Sequence, residues 1–138
     1  MNGGVAPAQA APPRRHLLDV NVLLAAIWSN HPQHAKAFAW LSGKTVLLCP
    51  LSELGFLRIS TNRKAINAPM AQARKLLERF ATDRKAQRIA DDLPALASHP
   101  QKSDQVSALY LADLAARHSA RLGTFDQTIQ HAAADVII

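Results

Sequence analysis

The sequence predicts an α/β fold in which a parallel sheet is covered by helices on both faces. Two observations carry this prediction. Short apolar runs alternate along the chain with longer helix-forming segments, which is the pattern of consecutive βαβ units. Two of the apolar runs end on a carboxylate, at Asp19 and Asp126. Open parallel sheets bind their ligands outside the carboxyl ends of their strands, so both residues fall where a site is expected.

The predicted strands are short and apolar. HLLDV (16–20) has Asp19 near its carboxyl end, TVLLCP (45–50) stops at a proline, and ARLGTFD (120–126) ends on Asp126. Short apolar runs bounded by turn signals are consistent with buried strands. Two weaker candidates are QRIA (87–90) and DVII (135–138).

The first three predicted helices are placed by periodicity and by their ends. NVLLAAIWS (21–29) is the first. The second opens at the cap candidate Asn30 and closes on Gly43, a residue type that commonly follows a helix. The third covers 51–62, with Ser52 as its cap and Glu53 in its first turn.

The later helices lie in the second half of the chain. Residues 68–83 form a clear amphipathic pattern, with Leu77 and Phe80 on its apolar stripe. A short helix is predicted over 93–98 and a long one over 103–119. In the long helix, Asp113 and Arg117 have the i, i+4 spacing of an ion pair.

Length and composition predict one folded domain preceded by a tail. Residues 1–15 are rich in Ala, Pro and Gly and are expected to be disordered, which leaves 16–138 as the domain. The start of the chain lacks the charge and apolar pattern of a secretory signal. The single cysteine, Cys49, excludes a disulfide framework and favours a reducing, cytoplasmic compartment. No segment is long and apolar enough for a membrane span.

The chain is basic, with a net charge of +6 and a pI of about 10.1. Such a balance favours polyanionic partners, either nucleic acid or an acidic protein. Most basic residues are scattered, apart from the short clusters TNRK (61–64), ARK (73–75) and DRKAQR (83–88).

Three carboxylates from distant parts of the chain are expected to meet at one edge of the sheet. Asp19 and Asp126 end strands, and Glu53 follows the end of another strand. Carboxylates in one pocket repel each other unless a hard divalent cation lies among them. Such an ion can polarise a phosphoryl oxygen and activate water, so a phosphodiester is the natural substrate. Taken alone, Glu53 is better explained as an ordinary first-turn residue.

Three segments, LLDVNVLLA, PLSELGFLRISTN and YLADLAARHSARLGTFD, together resemble the signature segments of PIN domains, and in particular VapC-type toxins of bacterial toxin–antitoxin pairs. The resemblance runs from about residue 16 to residue 138. It implies a three-layer α/β/α sandwich with a central, mostly parallel sheet. It also implies an endoribonuclease that depends on Mg²⁺ or Mn²⁺, forms a homodimer and is silenced by a VapB-type antitoxin.

The resemblance also implies roles for individual residues. Asp19, Glu53 and Asp126 correspond to metal ligands, acting directly or through water, and to catalytic residues. Asn21 and Thr124 correspond to supporting polar groups of the same pocket. Arg58, five positions after Glu53, is expected to reach toward RNA phosphates or to form an ordinary surface ion pair.

One departure from the family pattern concerns Ala108, which stands where PIN domains usually carry a further catalytic Asp. Three explanations are open: a substitution introduced to inactivate a toxic enzyme, a naturally degenerate member, or replacement of the missing group by Asp104. The last ranks lowest, because in a regular helix Asp104 lies one turn away, about 5–6 Å along the axis.

Two other functions are weighed against the ribonuclease. A degenerate PIN domain would bind RNA or antitoxin without cleavage, and Ala108 is the residue that favours it. A phosphatase with an Asp nucleophile is suggested loosely by DVNVL (19–23), but this class needs a second acid where Asn21 stands.

Overall fold

The computed structural model describes residues 14–138. Most of the predicted tail, residues 1–13, lies outside the described residues. The boundary of the domain falls slightly earlier than predicted, because Arg15 is the first residue of strand β1 (Arg15–Leu18). Its Nη1 donates a hydrogen bond to the carbonyl oxygen of His118 at 2.7 Å, which ties the start of the strand to the domain.

The five strands found within residues 14–138 form one fully parallel sheet, as the sequence predicts. Strand β1 is central, and the spatial order is β3-β2-β1-β4-β5. The other strands are β2 (Thr45–Leu48), β3 (Gln87–Arg88), β4 (Arg121–Thr124) and β5 (Ala134–Val136). Leu17 of β1 lies opposite Leu47 on one side and Leu122 on the other. The carboxyl ends of all five strands therefore meet at one edge.

Helices cover both faces of this sheet. They are α1 (Val20–Ile27), α2 (His34–Trp40), α3 (Pro50–Thr61), α4 (Met70–Asp83) and α5 (Val106–Arg117), with single 3₁₀ turns at Ala95–Ala97 and Ser103–Gln105. None of these helices is long and apolar enough to cross a membrane.

The core is divided into two layers by the sheet. Leu18 and Leu48 pack with α1 to α4, whereas Leu17 and Leu47 pack with α5. Neighbouring residues of a strand point to opposite faces, so each pair of consecutive leucines serves both layers. This confirms the three-layer α/β/α arrangement.

The starts of helices α2 and α3 differ from the predicted ones in ways that the local sequence explains. Helix α2 begins at His34 rather than beside Asn30, because residues 29–33 form turns. Helix α3 begins at Pro50, whose fixed φ and missing N–H suit a first helical position. Ser52 is thus its third residue rather than its cap, and its hydroxyl accepts a hydrogen bond from the N–H of Cys49 at 3.3 Å.

The predicted ion pair between Asp113 and Arg117 is wrong. Asp113 instead accepts hydrogen bonds from Ser98 at 2.6 Å and contacts His131 at 2.7 Å. Arg117 pairs with Asp92 at 3.2 Å. The loop before α5 and the segment after β4 supply partners that a helix considered alone does not have.

Candidate active site

Asp19 joins the central strand to the first helix. It follows β1 directly and is the N-cap of α1, where its Oδ1 accepts a hydrogen bond from the N–H of Val20 at 2.8 Å. Its own N–H donates to the carbonyl oxygen of Gly123 at 3.0 Å, so β4 fixes its backbone. The carboxylate is thereby held at the carboxyl edge of the sheet.

Thr124 links the two strand-end carboxylates. It is the last residue of β4 and is completely buried. Its hydroxyl donates to Oδ2 of Asp19 at 2.9 Å and accepts from the N–H of Asp126 at 3.1 Å. The Oδ1 atom of Asp126 accepts two further hydrogen bonds from Thr128, at 2.9 Å from the N–H and 2.7 Å from the hydroxyl. Both carboxylates are therefore oriented before any ligand binds.

These carboxylates line a cleft of about 380 Å³ at the carboxyl edge of the sheet. Asn21, from the first turn of α1, and Arg58, from α3, also line it. The structure thus brings together Asp19, Asp126, Asn21 and Arg58, with Thr124 beneath them. Their chemical roles stay predictions.

Gly55 allows α3 to reach the cleft. A Cβ atom at this position would lie 2.7 Å from Cγ2 of Val20, the first residue of α1. Such a contact is shorter than a real Cβ tolerates, so only glycine lets α3 pack directly against the start of α1. Arg58 follows three residues later on the same side of the helix, which brings it beside Asp19.

Burial dominates the electrostatics of Asp19. Loss of hydration raises the pKa of its carboxyl above the ordinary value, and the nearby charge of Asp126 adds to this effect. The hydrogen bonds from Thr124 and Val20 act in the opposite direction. Among residues 14–138, no Lys, Arg or His lies within ion-pair distance of either carboxylate.

The cleft fits a hydrated divalent cation. Within the described part of the chain, no three His, Cys, Asp or Glu side chains are close enough to hold one ion. Mg²⁺, however, usually keeps several waters and needs only one or two carboxylates together with substrate phosphates. Asp19 and Asp126 offer that donor set, and a cation between them would favour the ionised form that burial disfavours.

The structure does not place Glu53 among the residues that line this cleft. Glu53 lies in a separate groove with Leu57, Arg74 and Arg88. Its Oε2 accepts from Nε of Arg88 at 3.2 Å, and Arg88 belongs to β3, two strands away from β1. This ion pair directs Glu53 toward the sheet edge, away from Asp19.

Position 108 lies between the candidate site and a neighbouring cleft. Ala108 is buried in α5, and together with Asp126 and Thr128 it lines both the first cleft and a second one of about 320 Å³. A carboxylate introduced at position 108 would therefore stand beside Asp126. The small side chain leaves this space open.

Two residues of the cleft were ranked low or missed from the sequence. Asp104 lines the same cleft as Asp19, although it lies in the 3₁₀ turn that leads directly into α5. The larger rise per residue of that turn brings Asp104 no nearer to position 108 than a regular helical turn would. Thr128 was missed, although a Thr two residues after an Asp is a recognisable signal for a side chain that closes a local turn.

Comparison with known proteins identifies the family. The family model of the PIN domain matches residues 16–135. Ribonuclease VapC38 of Mycobacterium tuberculosis is 37% identical over 123 residues, covering 80% of this chain and 84% of the relative. Ribonuclease VapC39 of the same species is 34% identical over 128 residues, covering 85% and 92%. The crystal structure of VapBC2 from Rickettsia felis bound to a promoter DNA fragment superposes with a TM-score of 0.55 at 15% identity, covering 81% and 88%. The chain therefore belongs to the PIN domain family.

Proposed function

We propose that this protein is a metal-dependent endoribonuclease of the VapC type and the toxin of a toxin–antitoxin pair. The observation that carries the proposal is the pair of oriented carboxylates, Asp19 and Asp126, which share a cleft without a cationic partner. The relatives named ribonuclease VapC support the same activity. We expect the protein to act in the cytoplasm, where both its RNA substrate and its antitoxin would be present.

Each residue of the cleft has a distinct task in this proposal. Asp19 and Asp126 hold Mg²⁺ or Mn²⁺ directly or through water, and Thr124 fixes their orientation. A bound ion supplies an activated water and neutralises charge on the phosphodiester. Asn21 positions water or phosphate by hydrogen bonding, and Arg58 stabilises the negative charge that develops on the phosphate.

The basic test is cleavage of total RNA by the purified protein. We expect cleavage that requires Mg²⁺ or Mn²⁺, stops with EDTA and is lost in Asp19→Asn. A protein that cleaves equally well in EDTA would contradict the metal-dependent mechanism.

Ala108 sets the strength of the cation site. Because no acid stands at position 108 beside Asp19 and Asp126, we expect weak cation binding and slow cleavage. Ala108→Asp lowers the net charge from +6 to +5 and adds a carboxylate beside Asp126, so both properties should increase. Ala116→Asp, on the exposed side of the same helix, is the matched control and should change neither.

A degenerate domain that binds without cleavage is the second candidate, and Ala108 is the observation that favours it. If Ala108→Asp binds RNA and cation but produces no cleavage, this second function is the better description. If the Ala108 protein already cleaves as fast as Ala108→Asp, position 108 is not catalytic.

We also propose a homodimer that binds a VapB-type antitoxin. The VapBC2 structure supports the fold of such a toxin, and the curated relatives support the VapC type. The antitoxin would cover the cleft and pair a basic side chain with its carboxylates. Light scattering should give twice the chain mass, and added antitoxin should abolish cleavage. A monomer at micromolar concentration would contradict the dimer.

A further inference from the structure

A basic segment without carboxylates borders the candidate active site. Residues 54–77 contain Arg58, Arg63, Lys64, Arg74 and Lys75 but no Asp or Glu. This segment covers most of α3, the following loop and the first half of α4. Glu53 and Glu78 bound the segment, so Arg63 and Lys64, in its middle, are the basic residues furthest in sequence from a carboxylate.

The basic side chains nearest the cleft also form no ion pairs within the described residues. Among residues 14–138, ion pairs form at Arg88, Arg117, Arg121 and three histidines, and none involves Arg58, Arg63 or Lys64. All three of these side chains are exposed. They are available to an anionic partner without breaking an existing contact.

A well-ordered turn presents Arg63 and Lys64. Helix α3 ends at Thr61, and the carbonyl oxygen of Asn62 accepts hydrogen bonds from the N–H groups of Ala65 and Asn67, each at 3.0 Å. The side-chain oxygen of Asn62 accepts from the N–H of Lys64 at 2.8 Å. The backbone of the turn is thus satisfied internally, and its two basic side chains take no part in holding it.

The turn continues the side of α3 that lines the cleft. Arg58 and Ile59 both border the cleft. Asn62 lies four residues after Arg58, on the same side of the helix and about 6 Å further along its axis. A nucleic-acid strand leaving the carboxylates past Arg58 therefore meets Arg63 and Lys64 next.

We propose that Arg63 and Lys64, here named the basic turn, bind backbone phosphates of the RNA strand on one side of the scissile bond. This inference rests on the proposed ribonuclease function. Phosphate contacts position a strand without reading its sequence, so the basic turn would raise affinity for RNA in general. An acidic segment of a protein partner is less well supported, because Arg58 connects the basic turn to the carboxylates that would act on a phosphodiester.

The test compares Arg63→Ala/Lys64→Ala with Lys36→Ala/Arg79→Ala. Both pairs remove two exposed positive charges, and Lys36 and Arg79 lie on α2 and α4 outside the basic turn. All proteins carry Asp19→Asn to prevent cleavage. Fluorescence anisotropy measures the affinity for a labelled single-stranded RNA in EDTA, between about 50 and 200 mM salt.

We expect the first pair to reduce the slope of log affinity against log salt by about 1.4, since each lost phosphate contact on a single strand contributes about 0.7. The control pair should keep the parental slope. If both variants have the same slope and the unmodified protein still cleaves RNA, the inference about the basic turn is wrong but the proposed function stands. A protein that neither binds nor cleaves RNA overturns the proposed function as well. If the first pair leaves RNA affinity unchanged but weakens antitoxin binding, the basic turn binds the antitoxin and not RNA.

Discussion

Asp19 combines a structural and a chemical role, and two substitutions separate them. Asp19→Asn keeps a side chain that can cap α1, because Asn caps helices about as well as Asp. Its oxygen can accept from Val20 and its amide N–H can donate to the hydroxyl of Thr124, whose own proton then loses the acceptor that Asp19 provides. Asp19→Ala removes both contacts. Both variants lose the charge that a cation needs, so neither should bind Mn²⁺.

The two variants should differ in stability. Asp19→Ala loses a cap, about 1 kcal/mol, and leaves the buried hydroxyl of Thr124 without its acceptor, about 1–3 kcal/mol. We expect a total loss of about 2–4 kcal/mol. Asp19→Asn exchanges charged hydrogen bonds for neutral ones but no longer requires a buried charge. Its free energy of unfolding at neutral pH should stay within about 1 kcal/mol of the parent.

The pH dependence of the free energy of unfolding follows from the raised pKa of Asp19. The folded state binds this proton more tightly than the unfolded state, whose pKa is near the ordinary value of 3.8. The resulting stabilisation is complete below that value and is lost as pH rises through the higher folded-state pKa. The unmodified protein should therefore lose stability relative to Asp19→Asn as the pH rises from 3.8 through the folded-state pKa of Asp19.

Urea unfolding in EDTA, followed by the fluorescence of Trp28 and Trp40 from about pH 4 to 8, measures these differences. In a separate measurement without EDTA, Mn²⁺ at ten times its dissociation constant should stabilise the unmodified protein by about 1.4 kcal/mol. It should stabilise neither Asp19→Asn nor Asp19→Ala. The reasoning is refuted if Asp19→Asn loses as much stability as Asp19→Ala at neutral pH, or if Mn²⁺ stabilises all three proteins equally.

Three further substitutions test the surroundings of the site. Thr124→Val should weaken Mn²⁺ binding, measured by calorimetry, because it removes the hydroxyl that orients both carboxylates. Thr124→Ser keeps a hydroxyl and should bind Mn²⁺ like the unmodified protein. Equal Mn²⁺ affinities in all three proteins would contradict the orienting role of Thr124. Gly123→Ala should cost about 1–3 kcal/mol in thermal unfolding, because its Cβ would lie 2.5 Å from Cη2 of Trp40; an unchanged Tm would show that the ring moves freely. Asp135→Asn should cost about 1–2 kcal/mol in urea unfolding at pH 7, because Arg121 and a buried histidine lower the pKa of Asp135. That contribution is present above about pH 4 and is lost as pH falls through the lowered pKa, so the two proteins should converge in acid.

The strand-end part of the site could be predicted from the sequence because the chain encodes it locally. Asp19 and Asp126 each end an apolar run, and the carboxyl ends of parallel strands meet at one edge whatever the strand order. Thr124 is implied only by the resemblance to PIN domains, and the structure places it at the end of the strand that precedes Asp126. The two carboxylates required only the identification of two strands.

The other part depends on contacts between distant elements. The direction of Glu53 is decided by Arg88 on an edge strand of only two residues, and no pattern within α3 contains that information. Asp104 lies in the 3₁₀ turn that precedes α5. This turn gives the side chain of Asp104 a different direction from the one it would have in a continuous α-helix, and so lets it reach the cleft. A short change of helix type leaves little trace in apolar periodicity.

The pairing of β1 with β4 has a consequence for when activity can begin. Asp19 and Thr124 are 105 residues apart in the chain, and the central strand must wait for β4 before the two carboxylates share a cleft. Contacts of such long sequence separation form late in folding. A nascent chain still attached to the ribosome, with β4 inside the exit tunnel, carries Asp19 but has no complete site. Synthesis itself would thus delay a nuclease that could otherwise attack the RNA around it, until β4 has left the exit tunnel and paired with β1.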